Sequence, residues 1–439
     1  MSERLPAAHA RRRPRRILYV SHQSSLAGAE QALLRLVAVL DRAHVEPWVV
    51  LPSEGLLRAK LEEAGSRTDV LPTAWWIPGT HWASAAFFEQ LAGLPERVEK
   101  LCALASAGGA ELIHTNTIVT IEGALAAARL GLPHVWHSRS LFWHGHFPPA
   151  YFDHVPFFFS VVDQLSDHIV CMSREIEREI PSDCRLAPRT VIFDGPEMAA
   201  LLAQPAEPRE AMTRRYGLDP GSRLLACVGG IQRRKGQLDL VEAAARLVTQ
   251  FSNLVFVLCG EATDPEYHAR VLRRIEELGL GAHFRFPGFR SDVRSLLAHC
   301  ELLVHPAHSE GFGLVIIEAM AAGRPVVSTR SGGPEEIVED GVSGLLVPVG
   351  DPAALAAAIA RVLNDAPLAG ALGRAAARRA LLFTSEEAAR QTEAVYDQIL
   401  EFERPEELLR LRARRADAIL EQVLSLAAAA ETPPDPRPA

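Results

Sequence analysis

The chain has 439 residues, which is enough for two or three domains and too many for a single small module. Its 48% hydrophobic and 23% charged residues are ordinary for a globular protein, and no apolar run reaches the roughly 18 residues that a membrane-spanning helix needs. The net charge of −8 disfavours generic nucleic-acid binding, and six scattered cysteines without a Cys-x-x-Cys pair disfavour a disulfide scaffold or a zinc site. These properties favour a large cytoplasmic α/β enzyme.

The N-terminal tail, residues 1–16, contains six arginines and one glutamate, and it lacks the apolar core of a secretion signal. Pro6 and Pro14 discourage regular structure in it. We expect a basic, disordered and solvated tail. The alternative is a peripheral tether to the anionic inner face of a membrane.

Short apolar runs alternate with helical patterns along the first half of the chain. The predicted strands are 17–20, 48–51, 112–114, 134–136, 169–172 and 191–193. Strands that alternate with helices predict a mainly parallel sheet with both faces covered.

The same alternation restarts after a proline-rich join. The predicted strands are 224–228, 254–259, 284–287, 302–305 and 325–328, and the predicted helices are 237–248, 266–278, 314–321, 353–363 and 386–400. Both halves therefore read as doubly wound, Rossmann-like domains, whose ligands bind beyond the carboxyl ends of the strands.

The predicted divisions follow from these patterns. They are a tail at 1–16, a first domain at 17–195, a linker at 196–208, a second domain at 209–385, a helix at 386–402 that returns to the first domain, and an amphipathic helix with a disordered end at 403–439. We expect the two domains to face each other across a cleft.

The densest chemical signal lies around a glycine turn that opens a helix in the second half. Glu310 precedes the turn Gly311-Phe312-Gly313, whose backbone N–H groups could bind a phosphate at the helix N-terminus. Glu318 follows inside the helix and can reach back toward the turn. Carboxylates accept hydrogen bonds from hydroxyls, so the pair could bind two sugars of one ligand.

A second signal is the basic turn Arg233-Arg234-Lys235, between a strand and a helix. Three cations at such a junction can neutralise a diphosphate. The spacing matches neither a Walker A loop nor a dinucleotide fingerprint. The turn alone could equally be a solvated basic loop, and we expect Lys235 to be an exposed cation.

These two segments resemble glycosyltransferase family 4. Residues 310–323 are similar to the family's Glu-x7-Glu signature, and residues 332–347 match the element after it. The resemblance covers residues 223–400 closely and the first half more loosely. It implies a GT-B fold and a retaining transfer of a sugar from a nucleoside-diphosphate sugar on the second domain to a sugar or lipid-linked acceptor on the first. The expected setting is cell-envelope polysaccharide, lipopolysaccharide or glycolipid synthesis.

The resemblance also implies roles for individual positions. Glu310 would contact hydroxyls of the transferred sugar, Glu318 the ribose, and Lys235 the diphosphate. The remaining donor-binding positions are backbone groups of the turn and its first helical residue, the basic turn, a base-binding edge and a turn in the first domain: Gly311, Phe312, Gly313, Leu314, Arg233, Arg234, Gly288, Phe289 and Gly28. The family commonly has an arginine where this chain has Gly230, so either Arg233 or Arg234 supplies that charge or donor binding is weaker.

His137 ends a predicted strand of the first domain. A lone histidine there is more often structural, but the resemblance places it beside the reacting sugar and makes it a candidate catalytic residue with Glu310 and Lys235. No Asp-x-Asp motif is present to hold a divalent metal, and we expect neither a metal nor a cofactor.

Half of the aromatic residues fall in two segments of the first domain, 75–88 and 136–159. They could form the acceptor site or close a small core beneath long loops. His144 and His146 lie there, but without a third ligand we do not expect a metal.

Two rival functions stay open. One is a nucleotide-sugar epimerase or a phosphorylase on the same fold. The other is a non-catalytic assembly protein of an envelope-polysaccharide system, although the presence of Glu310, Glu318 and Lys235 weighs against it.

Overall fold

The computed structural model describes residues 13–76, 85–139, 141, 155–203, 205–290 and 292–430. Three sets of sequence predictions lie wholly or partly outside them: the tail at 1–12, the parts of the aromatic segments at 77–84, 140 and 142–154 (including His144 and His146), and the C-terminal end at 431–439.

The first half folds into a seven-stranded parallel sheet in the order β3-β2-β1-β4-β5-β6-β7. Its strands are β1 Arg15–Val20, β2 Val45–Leu51, β3 Arg67–Val70, β4 Leu112–Thr115, β5 His134–Ser138, β6 His168–Cys171 and β7 Arg189–Val191. Its helices are α1 Gly28–Val39, α2 Leu56–Glu63, α3 Ala85–Ala92, α4 Leu94–Gly108, α5 Glu122–Leu130, α6 Val155–Leu165 and α7 Arg174–Glu179. Because helices cover both faces, the central strand β1 contains a continuous buried apolar run at residues 17–20.

The second half folds into a six-stranded parallel sheet in the order β10-β9-β8-β11-β12-β13. Its strands are β8 Arg223–Val228, β9 Leu254–Cys259, β10 Phe284–Gly288, β11 Leu302–His305, β12 Val326–Thr329 and β13 Leu345–Val347. The helices from here to the end of the described chain are α8 Met198–Ala203, α9 Arg209–Arg215, α10 Gln237–Leu247, α11 Pro265–Glu277, α12 Val293–His299, α13 Leu314–Ala321, α14 Gly333–Ile337, α15 Pro352–Asn364, α16 Ala366–Ala380, α17 Ser385–Leu400 and α18 Glu406–Ala430. The two sheets confirm the predicted fold class.

The chain passes between the halves twice, and the two passages touch. A Cβ atom on Gly195 would overlap the backbone of Phe383, and the backbone N–H of Ser385 donates to the carbonyl of Pro196 at 3.1 Å. After the second passage, α17 packs against α1 of the first half.

The last helix, α18, packs along the first half against α3, α5 and α6. Arg412, nearly buried on this helix, binds the carboxylate of Asp167 at 2.6 Å. Among the described residues no single helix is long and apolar enough to cross a membrane; one pair, Pro352–Asn364 with Ala366–Leu400, meets that test together but is bent by 101°.

Candidate active site

Two loops of the second half meet beyond the carboxyl ends of the adjacent strands β8 and β11. The first loop contains a single 3-10 turn, Arg233–Lys235, and ends at Gly236, which has a φ of +65°. A Cβ atom at Gly236 would overlap the carbonyl of Pro306 in the second loop. Glycine is therefore needed both for its conformation and for the close approach.

This approach brings Lys235 and Glu310 into a nearly buried ion pair between Nζ and Oε2. Their side chains are 14% and 11% exposed, so Lys235 is not the exposed loop cation that the sequence suggests. Nε2 of His305 lies 3.1 Å from the same carboxylate oxygen. Nη1 of Arg234 lies 3.9 Å from the other oxygen.

The electrostatics of this cluster favour a charged carboxylate. Burial by itself would raise the pKa of Glu310, but Lys235, His305 and Arg234 together hold that pKa well below its usual range. Burial lowers the pKa of Lys235, and the carboxylate of Glu310 opposes that shift. Lys235, Glu310, His305 and Arg234 therefore form a group of paired charges that is largely shielded from solvent.

The structure separates the two arginines of the basic turn. The side chain of Arg233 is 59% exposed and pairs with Asp264 at 3.5 Å and Glu266 at 3.7 Å, at the start of α11. Arg234 is 26% exposed and lies near Glu310. Of the two, Arg234 is the arginine beside the Lys235–Glu310 pair.

Backbone contacts hold the glycine turn that follows Glu310. The N–H of Glu310 donates to Ser331 at 2.9 Å, and its carbonyl accepts from Gly333 at 2.9 Å. Gly313, at φ +110°, is the N-cap of α13, whose first residue is Leu314. The ring of Phe312 is fully buried and stacks on Phe193 with centroids 5.4 Å apart, so only its backbone can face a ligand.

The glycine turn lies against the first half of the molecule. The position of a Cβ on Gly311 is 3.5 Å from both Met172 and Ile176 and 3.9 Å from Leu141. Nearby, the carboxylate of Glu336 accepts hydrogen bonds at 3.0 Å from the backbone N–H groups of Arg174 and Glu175, where α7 begins. The two halves thus meet at the carboxyl ends of their sheets.

Glu318 occupies a different environment from Glu310. It lies partly buried on α13, and burial raises the pKa of its carboxyl, while Arg35 of α1 opposes that shift from the first half. No hydrogen bond or ion pair joins Glu318 to the Lys235–Glu310 pair within the described ranges. The two predicted carboxylates are therefore separate elements of the site.

His137 is almost wholly buried at the end of β5. Its Nδ1 lies 3.0 Å from Nη2 of Arg139, whose Nε donates to Asn116 at 2.9 Å and whose Nη1 donates to Asp194 at 2.5 Å. Burial, the Arg139 charge and the neighbouring His114 keep the pKa of His137 well below its ordinary value. The ring is therefore neutral.

Sequence reasoning missed Arg139, Asn116 and Asp194. Each lies directly after or close beyond the end of a strand, at β5, β4 and β7. The available signal was their position as polar residues after buried apolar runs. That position does not indicate which of these residues contact one another.

The remaining predicted positions lie apart from the charged cluster. Gly28 is exposed at the start of α1, and Phe289 is 61% exposed just after Gly288, which ends β10. No hydrogen bond or ion pair between described residues joins these three to Lys235 or Glu310.

Those aromatic residues of the two rich segments that the structure describes are largely core residues. Trp76 is 2% exposed and packs edge-on against Phe158 with centroids 4.9 Å apart, and it stacks near Trp136 at 6.4 Å. A separate cavity of about 490 Å³ opens beyond β1 and β2 and is lined mainly by polar residues between His22 and Leu56. Within the described part of the chain, no group of three or more His, Cys, Asp or Glu side chains could hold a metal ion.

Two family models match the chain. Residues 26–195 match the model described as Glycosyltransferase Family 4, and residues 208–379 match the model described as Glycosyl transferases group 1.

Curated relatives are similar over part of their lengths. The lipopolysaccharide core biosynthesis mannosyltransferase LpsB of Rhizobium meliloti is 31% identical over 218 residues, which are 48% of this chain and 62% of the relative. A D-inositol 3-phosphate glycosyltransferase of Thermobispora bispora is 32% identical over 249 residues, 55% of this chain and 58% of the relative. The matches thus span about half to three fifths of the relatives.

A solved structure has the same fold over most of the chain. The crystal structure of Anabaena HepE in complex with UDP-glucose superposes with a TM-score of 0.71 at 23% identity, covering 87% of this chain and 99% of HepE. Both have the GT-B fold of two facing doubly wound domains.

Proposed function

Since the two matching models together cover most of its residues, the chain belongs to glycosyltransferase family 4, and we infer that it transfers a sugar from a nucleoside-diphosphate sugar to an acceptor. The observation that carries this proposal is the Lys235–Glu310 cluster, which lies beyond the carboxyl ends of β8 and β11. This is where open parallel sheets bind ligands.

The proposed mechanism uses charge that is already in place. Lys235 and Arg234, with the N-terminus of α13, would stabilise the negative charge that develops on the departing diphosphate. Such stabilisation needs no divalent metal, so we propose a metal-independent transfer.

Glu310 is proposed to accept hydrogen bonds from hydroxyls of the transferred sugar and to stabilise its positive character in the transition state. It is not assigned as a covalent nucleophile. Retention of configuration would arise from attack on the same face that the phosphate leaves.

The two halves would divide the substrates between them. Glu318 would bind the ribose and the edge at Gly288 and Phe289 the base, while the first half would hold a sugar or lipid-linked acceptor. The printed name of LpsB supports a cell-envelope glycan as the product class, and the HepE complex supports a nucleotide sugar as the donor. The proposed location is the cytoplasm, with peripheral contact at the inner face of the membrane where the acceptor is lipid-linked.

A thermal-shift screen against UDP-, GDP- and ADP-sugars tests the donor class, because a ligand that binds the native state raises the unfolding temperature. We expect one nucleotide series to stabilise the wild type and to stabilise Lys235→Ala far less. Stabilisation by none of the three series would contradict the proposal.

Turnover of the selected donor should then require an acceptor and should persist in excess EDTA. Turnover to a second nucleotide sugar without acceptor would instead indicate an epimerase. Loss of activity in EDTA, restored by magnesium or manganese, would contradict metal independence.

A further inference from the structure

The contact between Arg139 and His137 determines where the proton of the histidine ring lies. A guanidinium group carries only donors, so Nη2 of Arg139, 3.0 Å from Nδ1 of His137, must donate to it. Nδ1 is then an acceptor with no proton. A neutral imidazole with an unprotonated Nδ1 carries its proton on Nε2.

The charged groups around the ring favour this neutral form. Arg139 faces His137 from the end of β5, and His114 faces it from β4 with ring centroids 5.5 Å apart. His114 in turn contacts the hydroxyl of Tyr396 on α17 at 2.6 Å, and Asp194 is paired with Arg139. A proton on Nδ1 would point at the guanidinium, which disfavours both the charged ring and the other tautomer.

Arg139 has no freedom to release the histidine. Its side chain is 1% exposed, and its remaining nitrogens donate to Asn116 and Asp194. The side-chain amide of Asn116 is itself anchored to the carbonyl of Ala29 at 3.0 Å. Three acceptors from separate segments of the first half therefore hold one guanidinium in one orientation.

The proton on Nε2 of His137 has no acceptor among the described residues. Nε2 is buried and has no hydrogen-bond partner among the described residues, although a buried donor without a partner is costly. It belongs to His137 near the end of β5, four residues before Leu141, which approaches the Gly311 turn. The unused donor is thus on the edge of the first sheet that faces the proposed donor site.

We propose that Arg139 is a positioning residue: it locks His137 as the Nε2–H tautomer, so that His137 donates a hydrogen bond to an oxygen of the bound sugar. The proposal rests on the proposed function for its ligand, but the tautomer itself follows from the protein's own contacts. Its two parts can therefore be tested separately.

The first experiment measures the tautomer without any substrate. In the full-length protein labelled with ¹⁵N-histidine, long-range ¹H–¹⁵N correlation spectra distinguish protonated from unprotonated ring nitrogens, and His137→Gln identifies the His137 signals by their loss. We expect a neutral ring with its proton on Nε2 throughout pH 6 to 8. A proton on Nδ1, or a ring protonated on both nitrogens, would overturn the proposal.

The second experiment removes the lock. Arg139→Met should release the ring into a mixture of tautomers and lower turnover about tenfold, with the donor Michaelis constant within twofold of the wild type. Arg139→Lys keeps a charged donor, so it should retain much of the Nε2–H tautomer and much of the wild-type turnover. An unchanged tautomer in Arg139→Met would overturn the proposal.

The control for lost stability is Arg412→Met, because Arg412 is also a buried arginine paired with an aspartate of the first half but does not contact His137. We expect its His137 tautomer and its turnover to match the wild type. A drop in turnover as large as that of Arg139→Met would mean that Arg139 acts only through stability, which would overturn the positioning role. Where Arg139→Met does not fold, Asp194→Asn loosens the same guanidinium and must show the same direction of change.

A failure of the proposed function has a different signature. If no nucleotide sugar is turned over while His137 is found as the Nε2–H tautomer, the transferase assignment falls and the lock on the ring stands.

Discussion

The carboxyl ends of the two sheets differ in the polar group that each presents to the proposed substrates. In the first half that group is the buried neutral ring of His137, which contacts Arg139 and lies beside the ring of His114. In the second half it is an ion pair, Lys235 with Glu310. On the proposed function, the charged side suits a diphosphate and the neutral side suits hydroxyl groups.

The two halves also differ in how their buried polar groups avoid the energetic cost of burial. A buried ion pair keeps its charge only while both partners remain, so the second half depends on pairs. A buried histidine avoids the cost of charge by losing its proton, so the first half depends on pH. Because burial lowers the pKa values of His114, His134 and His137, we expect the first half to be sensitive to acid.

The largest expected effect is acid destabilisation of the first half. Burial lowers the pKa of His114 from 6.5 to about 3, and burial also takes the pKa values of His134 and His137 well below 6.5. Below pH 6.5 the unfolded chain binds protons that the folded chain does not, so stability falls as the pH falls. At pH 5.5 the three rings together should cost about 4 kcal/mol.

Tryptophan fluorescence measures this effect, because all six tryptophans lie between Trp48 and Trp143 in the first half. The midpoint of thermal unfolding by fluorescence should drop strongly between pH 7.5 and pH 5.5. Equal fluorescence midpoints at the two pH values would contradict the neutral-ring description.

The next largest effect is loss of the buried cation in the second half. Lys235→Ala should lower donor turnover a few hundredfold, which is about 3 kcal/mol of lost charge stabilisation. Arg233→Ala is the matched control, since Arg233 lies on the same turn but is exposed and paired elsewhere. Initial-rate kinetics of the two variants compare them directly; parental turnover in Lys235→Ala would show that the diphosphate role is wrong.

Substitution of the two glutamates of the second half should affect different kinetic constants. Glu310→Gln should raise the activation free energy by about 2 kcal/mol and so lower turnover, because Glu310 is proposed to face the sugar that becomes positive in the transition state. Glu318→Gln should mainly raise the donor Michaelis constant, because the ribose does not change during the reaction.

Calorimetric titration with the free nucleoside diphosphate sharpens this distinction, since that ligand has no sugar to transfer. Glu318→Gln should weaken its binding through the lost ribose contact, whereas Glu310→Gln acts only indirectly, through its ion pair with Lys235, and should change binding less. If Glu310→Gln alone weakened binding, the roles of the two carboxylates would have to be exchanged.

The smallest expected effect distinguishes the two arginines. Arg234→Ala should weaken diphosphate binding about tenfold, or about 1.4 kcal/mol, because Arg234 lies beside Glu310 and Lys235. Arg233→Ala should bind like the wild type in the same titration. The opposite ranking would mean that Arg233 replaces the basic residue absent at Gly230.

The central strands were predictable from sequence because they are buried on both faces and therefore read as continuous apolar runs. Strands β3 and β13 were not predicted; they lie at sheet edges and have only four and three residues. The β3 sequence, Arg-Thr-Asp-Val, is mostly polar and partly exposed, so it carries no apolar signal. Helix α8, which lies inside the segment predicted as a linker, was not predicted either.

The site was predictable where topology alone brings residues together. The basic turn and Glu310 follow the neighbouring strands β8 and β11, so their proximity follows from the fold. The burial of Lys235 was not predictable, because it depends on the close approach at Gly236. The Arg139–Asp194 pair joins positions 55 residues apart, and only the finished packing selects that partner.

The two connections between the halves touch at Gly195 and Phe383. Two adjacent connections restrict the relative rotation of two domains more than a single connection does, because rotation is limited to the line that joins them. Phe193, Phe312 and Phe383 pack together beside that line. The turn that carries Glu310 therefore lies close to both connections between the halves.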